Sequence, residues 1–388
     1  MDYFLSEEQK MIVETARQIT NEYIIPHRAA LDEQDKFPRT ILNAMAQADL
    51  FGIPVPEEFG GFGGGCLDIV LALEQLGRGC IGVGTAFAAS SLGIYPILQA
   101  GSQEMRERYL PDAAAGKKFA AFGLTEANAG SDASGIQTTA VLDGDEWVVN
   151  GTKQWITNGG EAQIYTIVAM TDRSKGPRGA SMLVVEEGDP GFSCGPKEKK
   201  MGIRASSTTE LIFKDCRIPK DRLIGRKGTG FITIMKTLDS SRPGIAALGL
   251  GLAQAALDEA ACYAKQRVQF GKPIFAFQAV QHMLADMAIQ LEAARALVYG
   301  AARHIDAHPQ NMSKVSSMCK VFATDMAMKV ATDAVQVMGG YGYMREYPVE
   351  KMMRDAKILQ IYEGTNQIQR NVVGQELNKE YARVSVNG

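Results

Sequence analysis

The segment QIYEGTNQIQR, Gln360 to Arg370, holds one carboxylate, Glu363, in a run that stays neutral until Arg370. Apolar Ile358, Leu359 and Ile361 stand beside it. A carboxylate among apolar neighbours has its charged form destabilised, which raises its pKa and sharpens it as a base once water is expelled. Gly364 gives the backbone freedom to turn beside a ligand. The plainer role for such an acid is a helix N-terminus.

Four other segments carry residue types suited to holding a ligand. GLTEANAGSDASG, Gly123 to Gly135, is dense in small residues, and Thr125, Ser131 and Ser134 can donate to phosphate or ring oxygens. It reads equally as a polar loop. In GTKQWITNGG, Gly151 to Gly160, Trp155 stands two positions before Thr157. That pair suits an aromatic ring system edged by a hydroxyl, with burial of the Trp in the core as the competing role. QRVQFGKPIFAFQAVQ, Gln266 to Gln281, sets Arg267 ahead of Phe270 and Gly271, and QVMGGYGYMREYP, Gln336 to Pro348, sets Gly339 and Gly340 after a long helical pattern. Paired glycines near an arginine can cradle a pyrophosphate without a P-loop. A solvated helix charge and a helix C-cap are the alternatives.

Other motifs point away from chemistry. GLGLAQ, Gly249 to Gln254, lacks the third glycine of a dinucleotide fingerprint and lies in a helical pattern, so it reads as helix packing. EEFGGFGGGC, Glu57 to Cys66, lacks the flanks of a P-loop and reads as a tight turn between helices. His304 and His308 have helical metal-pair spacing, but HIDAHP lacks the acidic neighbour of a zincin motif, and no metal is expected. The six cysteines are dispersed without a CxxC pair and are expected as buried free thiols of a reducing compartment.

The elements that must position these residues follow from periodicity. With 388 residues the chain is too long for one simple core. Residues 1–115 read as helical: Leu5, Met11, Ile12, Ala16 and Ile19 recur near helical spacing behind a Ser6 N-terminus. Residues 116–228 read as a compact antiparallel β domain, with short branched runs such as IYTIVAM and with DGDEW and the Asn150-Gly151 pair as turns. Residues 229–388 return to helical period and read as an antiparallel four-helix bundle, with Met283, Leu284, Met287, Ala288, Leu291, Ala294, Leu297 and Val298 on one stripe. Helices, then strands, then helices make a multidomain α+β chain and exclude the alternation of a doubly wound sheet. The formal net charge of −3 gives no reason to expect nucleic acid or an anionic membrane as partner. No run of about 18 apolar residues is evident, so no membrane span is expected. The acidic, amphipathic start reads as a structural helix rather than a targeting peptide, which makes the expected location cytoplasmic.

Taken together, LTEANAGSD, WITNGG, RVQFGKPI, QVMGGYGY and IYEGTNQIQR resemble, in order and spacing along residues 1–380, the acyl-CoA dehydrogenase family of short- and medium-chain type. The resemblance implies FAD, a helical–β–helical fold, a homotetramer and an electron-transfer flavoprotein as electron acceptor. It implies that Phe122, Leu124, Thr125 and Ser131 line the surface near the flavin and the thioester, and that Trp155 and Thr157 lie against the isoalloxazine. Arg267, Phe270, Gln278, Gln336, Gly339 and Gly340 would meet the pyrophosphate and adenine portions from a neighbouring subunit. Thr365 and Gln367 would return to the adenosine side, while Asp239 and Arg242 of LDSSRP would contact the CoA portion of the substrate and Gly364 would border it.

The implied reaction is α,β-dehydrogenation of an acyl-CoA thioester, with Glu363 as the base for the α-proton and flavin N5 as hydride acceptor. The thioester oxygen would be held by the backbone N–H of the glutamate and a ribityl hydroxyl. Some family members take the base from the LDSSRP helix instead; here that position is Ser241, so the resemblance selects Glu363. The segment GTAFAASSLGIYP, Gly84 to Pro96, has no cationic residue of the kind glutaryl-type members need. A linear short- to medium-chain acyl group is the expected substrate, with a compact branched or alicyclic one as alternative. A DNA-associated flavoprotein relative would need a basic C-terminal surface, and an oxidase relative a longer chain.

Overall fold

A computed structural model describes residues 3–382. Six helices come before any strand: α1 (Glu7–Ile19), α2 (Arg28–Glu33), α3 (Arg39–Gln47), α4 (Cys66–Gly79), α5 (Ile81–Ala100) and α6 (Gln103–Ala114). Helix α1 begins where Ser6 marks it. The Ser6 hydroxyl accepts from the Gln9 N–H at 3.2 Å, and the Gln9 side chain accepts from the Ser6 N–H at 3.1 Å. Ala16 and Ile19 are buried as the periodicity requires, but Met11 is exposed. Met11 and Ile12 lie about 100° apart around the helix, so only one of them can face the core.

Helix α5 has no charged residue and is almost wholly buried. It corrects the expectation that no long apolar segment exists. Both α5 and the later α7 (Gly230–Gln266) are long and apolar enough to cross a membrane, yet 78% and 67% of their apolar windows are buried inside this fold. They are apolar all round because other elements cover them on every side.

The strands are β1 (Ala120–Gly123), β2 (Thr139–Asp143), β3 (Glu146–Thr157), β4 (Ile164–Met170), β5 (Ala180–Glu186), β6 (Phe192–Cys194), β7 (Thr208–Pro219) and β8 (Leu223–Ile224). They form one sheet in the order β6-β7-β3-β2-β4-β5-β8, with β1 also paired to β4. Most pairs are antiparallel. Two are not: β1 runs parallel to β4 from Ala120↔Ile164 to Gly123↔Ile167, and β2 meets β4 in parallel at Thr139↔Met170. Strand β1 enters from α6 rather than from a hairpin, so local turn chemistry does not set its direction.

The DGDE turn joins β2 to β3 as expected, with Gly144 at φ +62. The Asn150-Gly151 pair does not turn. Strand β3 runs through it, and the register with β7 slips between Val149 and Gly151. The cause is tertiary: the Asn150 amide donates to Asp215 Oδ1 at 3.0 Å and its oxygen accepts from the Asp215 N–H at 2.8 Å, fastening the bulge to the neighbouring strand.

After the sheet, α7, α8 (Gln278–Ala307), α9 (Ser313–Met338) and α11 (Asn366–Tyr381) form the bundle, with short α10 (Val349–Leu359) beside them. Along α8 the residues Leu284, Met287, Leu291, Ala294 and Val298 are buried; Ala288 is exposed, off the buried face. The helices on both sides of the sheet share one apolar core. Among the cysteines Cys80, Cys216 and Cys319 are buried and all six are free, but Cys66 and Cys194 are only half-buried and Cys262 is exposed near the end of α7. Burial was expected for all of them.

The GLGL segment, Gly249 to Leu252, makes a close helix crossing. A side chain on Gly251 would place its first carbon 2.0 Å from the Glu74 carbonyl oxygen of α4, and one on Gly77 would meet the Leu248 oxygen at 2.8 Å. Gly251→Ala is therefore expected to destabilise the chain by at least about 1–3 kcal/mol, because the clash is with backbone that cannot rotate away. Thermal unfolding of the variant against the unmodified protein measures this.

Candidate active site

Helix α10 ends at Leu359 and α11 begins at Asn366, where the Thr365 hydroxyl caps it by accepting from the Ile368 N–H at 3.2 Å. Glu363 lies in the connection ahead of that cap, so it is not the helix N-terminus. Its φ is +52, and that of Gly364 is +91. A left-handed non-glycine residue costs about 1–3 kcal/mol and persists only when its surroundings enforce it. The enforcement is visible. The Glu363 carbonyl accepts from Arg242 Nε and from Gln369 Nε2, each at 3.2 Å. The Gly364 carbonyl accepts from Lys320 Nζ at 2.8 Å and from Gln369 Nε2 at 3.3 Å. A side chain on Gly364 would lie 2.3 Å from that same Gln369 nitrogen, so this position requires glycine.

The Glu363 carboxylate is half-buried and accepts a hydrogen bond from the Ser241 hydroxyl of α7. Burial pushes its pKa up; the Ser241 hydrogen bond and the charges of Arg242 and Lys320 pull the other way. The N–H of Glu363 donates to no acceptor among the described residues.

Beside this carboxylate runs one face of α5. At one end the Thr85 and Tyr362 hydroxyls lie 3.3 Å apart. At the other, the Gln99 amide donates to Ser240 Oγ at 3.3 Å and accepts from Thr237 Oγ1 at 3.2 Å. Between these pins Ala88, Leu92 and Tyr95 follow the same helical face and keep accessible surface in a helix otherwise nearly sealed. Burial raises the Tyr95 and Tyr362 hydroxyl pKa values, although both residues retain accessible surface. Glu363 acts electrostatically on both hydroxyls. Because Tyr362 adjoins Glu363 and Ser240 adjoins Ser241, this partly accessible face of α5, called the recess below, lies beside the carboxylate.

Asp239 and Arg242, the residues expected at the CoA portion of the substrate, are both buried, and Arg242 Nη1 donates to Asp239 Oδ1 at 2.7 Å. The second Asp239 oxygen accepts from Ser313, and Ser316 donates to the Asp239 carbonyl at 2.7 Å. Arg242 Nε in turn holds the Glu363 carbonyl.

The remaining residues fall into two groups. In the first, Trp155 is 57% exposed at φ +57, where the β3–β7 register shifts between Lys153 and Ile156. The core role for this Trp is excluded. Thr157 and Phe122 are half-accessible, Leu124 is buried, and the Thr125 carbonyl accepts from the Gln154 N–H at 2.8 Å, which ties the loop after β1 to the strand at Trp155. Fully buried Lys153 anchors that loop through Glu126 at 2.7 Å and the Leu124 carbonyl at 3.1 Å. Ser131 is exposed farther along the same loop.

In the second group Arg267, Gly339 and Gly340 share an open cleft of about 540 Å³ with Tyr263, Tyr341 and Met344. The Arg267 guanidinium lies 5.3 Å over the Tyr341 ring. Gly339 ends α9 at φ +60, so it is a helix cap that also lines the cleft. Phe270, 94% exposed at φ +50, tips a separate two-stranded hairpin in which Val268–Gln269 pairs with Lys272–Pro273, while Gln278, Gln336 and Gln367 are exposed. No residue of the first group lines this cleft, so a single chain does not bring the two together.

Comparison with known proteins follows the same division. Family models for the acyl-CoA dehydrogenase N-terminal, middle and C-terminal domains match residues 6–117, 121–216 and 228–378. The chain belongs to the acyl-CoA dehydrogenase family. It is 47% identical to a probable acyl-CoA dehydrogenase of Mycobacterium leprae over 96% of each chain. It is similar to the solved butyryl-CoA dehydrogenase of Megasphaera elsdenii, at 43% identity and TM-score 0.95, covering 97% of this chain and 100% of that one. A chain solved in a study of the electron transferring flavoprotein of Acidaminococcus fermentans matches at 47% identity and TM-score 0.95, covering 97% and 99%.

Acyl-CoA dehydrogenases are FAD-dependent oxidoreductases acting on the CH–CH group of acyl-CoA, and this chain is one of them. The residues present fit the cofactor. An exposed indole on a left-handed backbone, a half-accessible Thr157 and a tethered hydroxyl-rich loop form a place for a flat polar ring system.

Several residues escaped sequence reasoning. Lys320 and Gln369 hold the turn at Glu363, and Tyr95 and Tyr362 wall the recess. The spacing Thr85, Ala88, Leu92, Tyr95, Gln99 was the available signal for the recess wall. Trp155→Gly is expected to leave the melting temperature of the flavin-free chain unchanged or higher, since glycine relieves the left-handed strain. The same variant should release FAD more readily and alter its visible absorption, measured by flavin retention on dilution.

Proposed function

We propose that this dehydrogenase acts on a linear short- to medium-chain acyl-CoA, with Glu363 as the base that takes the α-proton. The observation that carries this reading is a desolvated carboxylate, hydrogen-bonded to Ser241 and opening on a recess walled by α5. Bound FAD supplies the hydride acceptor. The chain supplies the rest: Glu363 receives the proton, its free N–H is available to the thioester oxygen, and Ala88, Leu92 and Tyr95 line the acyl group. Trp155, Thr157, Thr125 and Phe122 would hold the flavin ring, with Leu124 and Ser131 completing that wall and Gly364 bordering the substrate. Arg267, Phe270, Gln278, Gln336, Gly339 and Gly340 would reach the FAD of a second copy, with Thr365 and Gln367 on its adenosine side. This accounts for the open cleft and the exposed Phe270, and it makes a homotetramer the working assembly. We further propose an electron-transfer flavoprotein as acceptor, a cytoplasmic location, and domains bounded at 1–115, 116–228 and 229–388.

Anaerobic titration of the holoprotein with a panel of acyl-CoAs should bleach the flavin; no bleaching by any member would overturn the reading. Glu363→Gln should keep FAD and lower turnover by about 100-fold or more, the range of a lost general base. Because burial raises the Glu363 pKa, kcat/KM should fall as pH drops through a value above the ordinary glutamate range. The sign for stability is opposite. A carboxyl whose folded pKa is raised binds more protons when folded, so the fold loses stability as pH rises from the ordinary value through the raised one. Glu363→Gln should abolish that slope in a pH series of unfolding curves. Tyr95→Ala should shift the kcat/KM optimum toward longer acyl groups while turnover of the shortest one persists.

A further inference from the structure

Lys320 has no part in the reaction as derived so far, yet it is a buried charge close to the base. Its side chain is fully buried in α9. Its ammonium donates to the Gly364 carbonyl at 2.8 Å and to Asn366 Oδ1 at 2.8 Å, and neither partner is charged. A buried lysine without a directly bonded carboxylate is expensive, and an apolar residue of the same volume would cost the fold less.

The charges around it are few and identifiable. Glu363 attracts it from the turn and Arg242 of α7 repels it. Asp325, one turn farther along α9, attracts it too, but that carboxylate is already engaged by Gln360 and Asn366 at 2.7 Å and by Arg370 at 2.6 Å. Asn366 is itself held by Thr324, whose hydroxyl accepts from its amide at 2.9 Å. The carboxylate left to balance Lys320 is therefore Glu363.

We propose that Lys320 is the positioning residue of the catalytic base: it fixes the Gly364 peptide so that Glu363 stays left-handed beside the recess, and it supplies the buried positive charge that favours the Glu363 carboxylate. The proposal rests on Glu363 being the base. Arg242 and Gln369 hold one carbonyl of the turn; Lys320 and Gln369 hold the next. Loss of Lys320 leaves the Gly364 carbonyl with only the longer 3.3 Å contact to Gln369, on a glycine at φ +91 whose backbone has the widest freedom to move. Burial also pulls the Lys320 ammonium down to about 7, so its charge changes in the range where the enzyme works. As pH rises through that value the ammonium is neutralised and its pull on Glu363 ends.

The test uses flavin-loaded Lys320→Met and Lys320→Gln proteins with butyryl-CoA, following kcat and KM across pH. Lys320→Met should lower kcat by about 10- to 100-fold with KM changed less than about threefold, the signature of a misplaced group rather than a lost binding contact. The acid side of its kcat profile should move to higher pH. Lys320→Gln keeps a donor for the Gly364 carbonyl, so it should recover part of kcat while keeping the shifted profile. Unchanged kcat and pH profile in both variants would overturn the proposal. Should the variants fail to retain flavin, the unmodified enzyme still decides. Its profile should contain an ionisation near pH 7 whose pKa falls on warming, as an amine's does and a carboxylate's does not; its absence overturns the assignment. Failure of the unmodified holoenzyme to bleach with any acyl-CoA would instead reject the dehydrogenase reading itself.

Discussion

The organising constraint is a carboxylate held away from water on a backbone that would not choose its own conformation. Desolvation makes Glu363 a stronger base, and its left-handed φ is maintained from outside. No single segment can do this. Ser241 and Arg242 come from α7, Lys320 from α9 and Gln369 from α11, while α5 packs against α7 alongside them. The α7 and α9 donors sit on long helices buried along much of their length, and α11 is buried only at its start, at Asn366 and Gln369. The helices before and after the sheet share one core. A turn fastened by four donor contacts to two carbonyls needs rigid donors, and the tight α4–α7 crossing at Gly77 and Gly251 supplies part of that rigidity.

Charge follows the same logic. Arg242 lies between the Asp239 carboxylate and the Glu363 carbonyl, so this cation is already neutralised on its far side. Lys320 has no such counterpart. Buried ions of this kind add little to stability and much to the definition of a local geometry. The sheet uses the device once more: Lys153, buried against Glu126 and the Leu124 carbonyl, fastens the loop after β1 to the strand that bears Trp155. In both places a buried lysine holds a backbone carbonyl of a connecting segment.

Local sequence rules held wherever the deciding partners were close in the chain. The Ser6 capping box, the DGDE hairpin and the change of period from helix to strand and back all rest on short-range geometry. GLGL at 249–252 was legible as packing because small residues inside a helix let another backbone approach closely. The failures have long-range causes. Asn150-Gly151 bulges rather than turns because Asp215 on β7 takes up both amide atoms of Asn150. The direction of β1 depends on how α6 delivers it to the sheet.

By itself the sequence determined the chemistry on offer: one carboxylate in an apolar setting, glycine after it, a serine rather than an acid at position 241, and hydroxyl-rich and aromatic segments able to meet a flavin. These are properties of residue type and near neighbours. Only the tertiary structure decided what the carboxylate would be worth. Lys320, far from it in sequence and set in a Met- and Ala-rich helix, gave no local sign of reaching the Gly364 carbonyl, and Trp155 could not be told from a core residue until the register of β3 turned it outward. Desolvation, strain and the pairing of buried charges depend on what lies across space, and no window of sequence contains that.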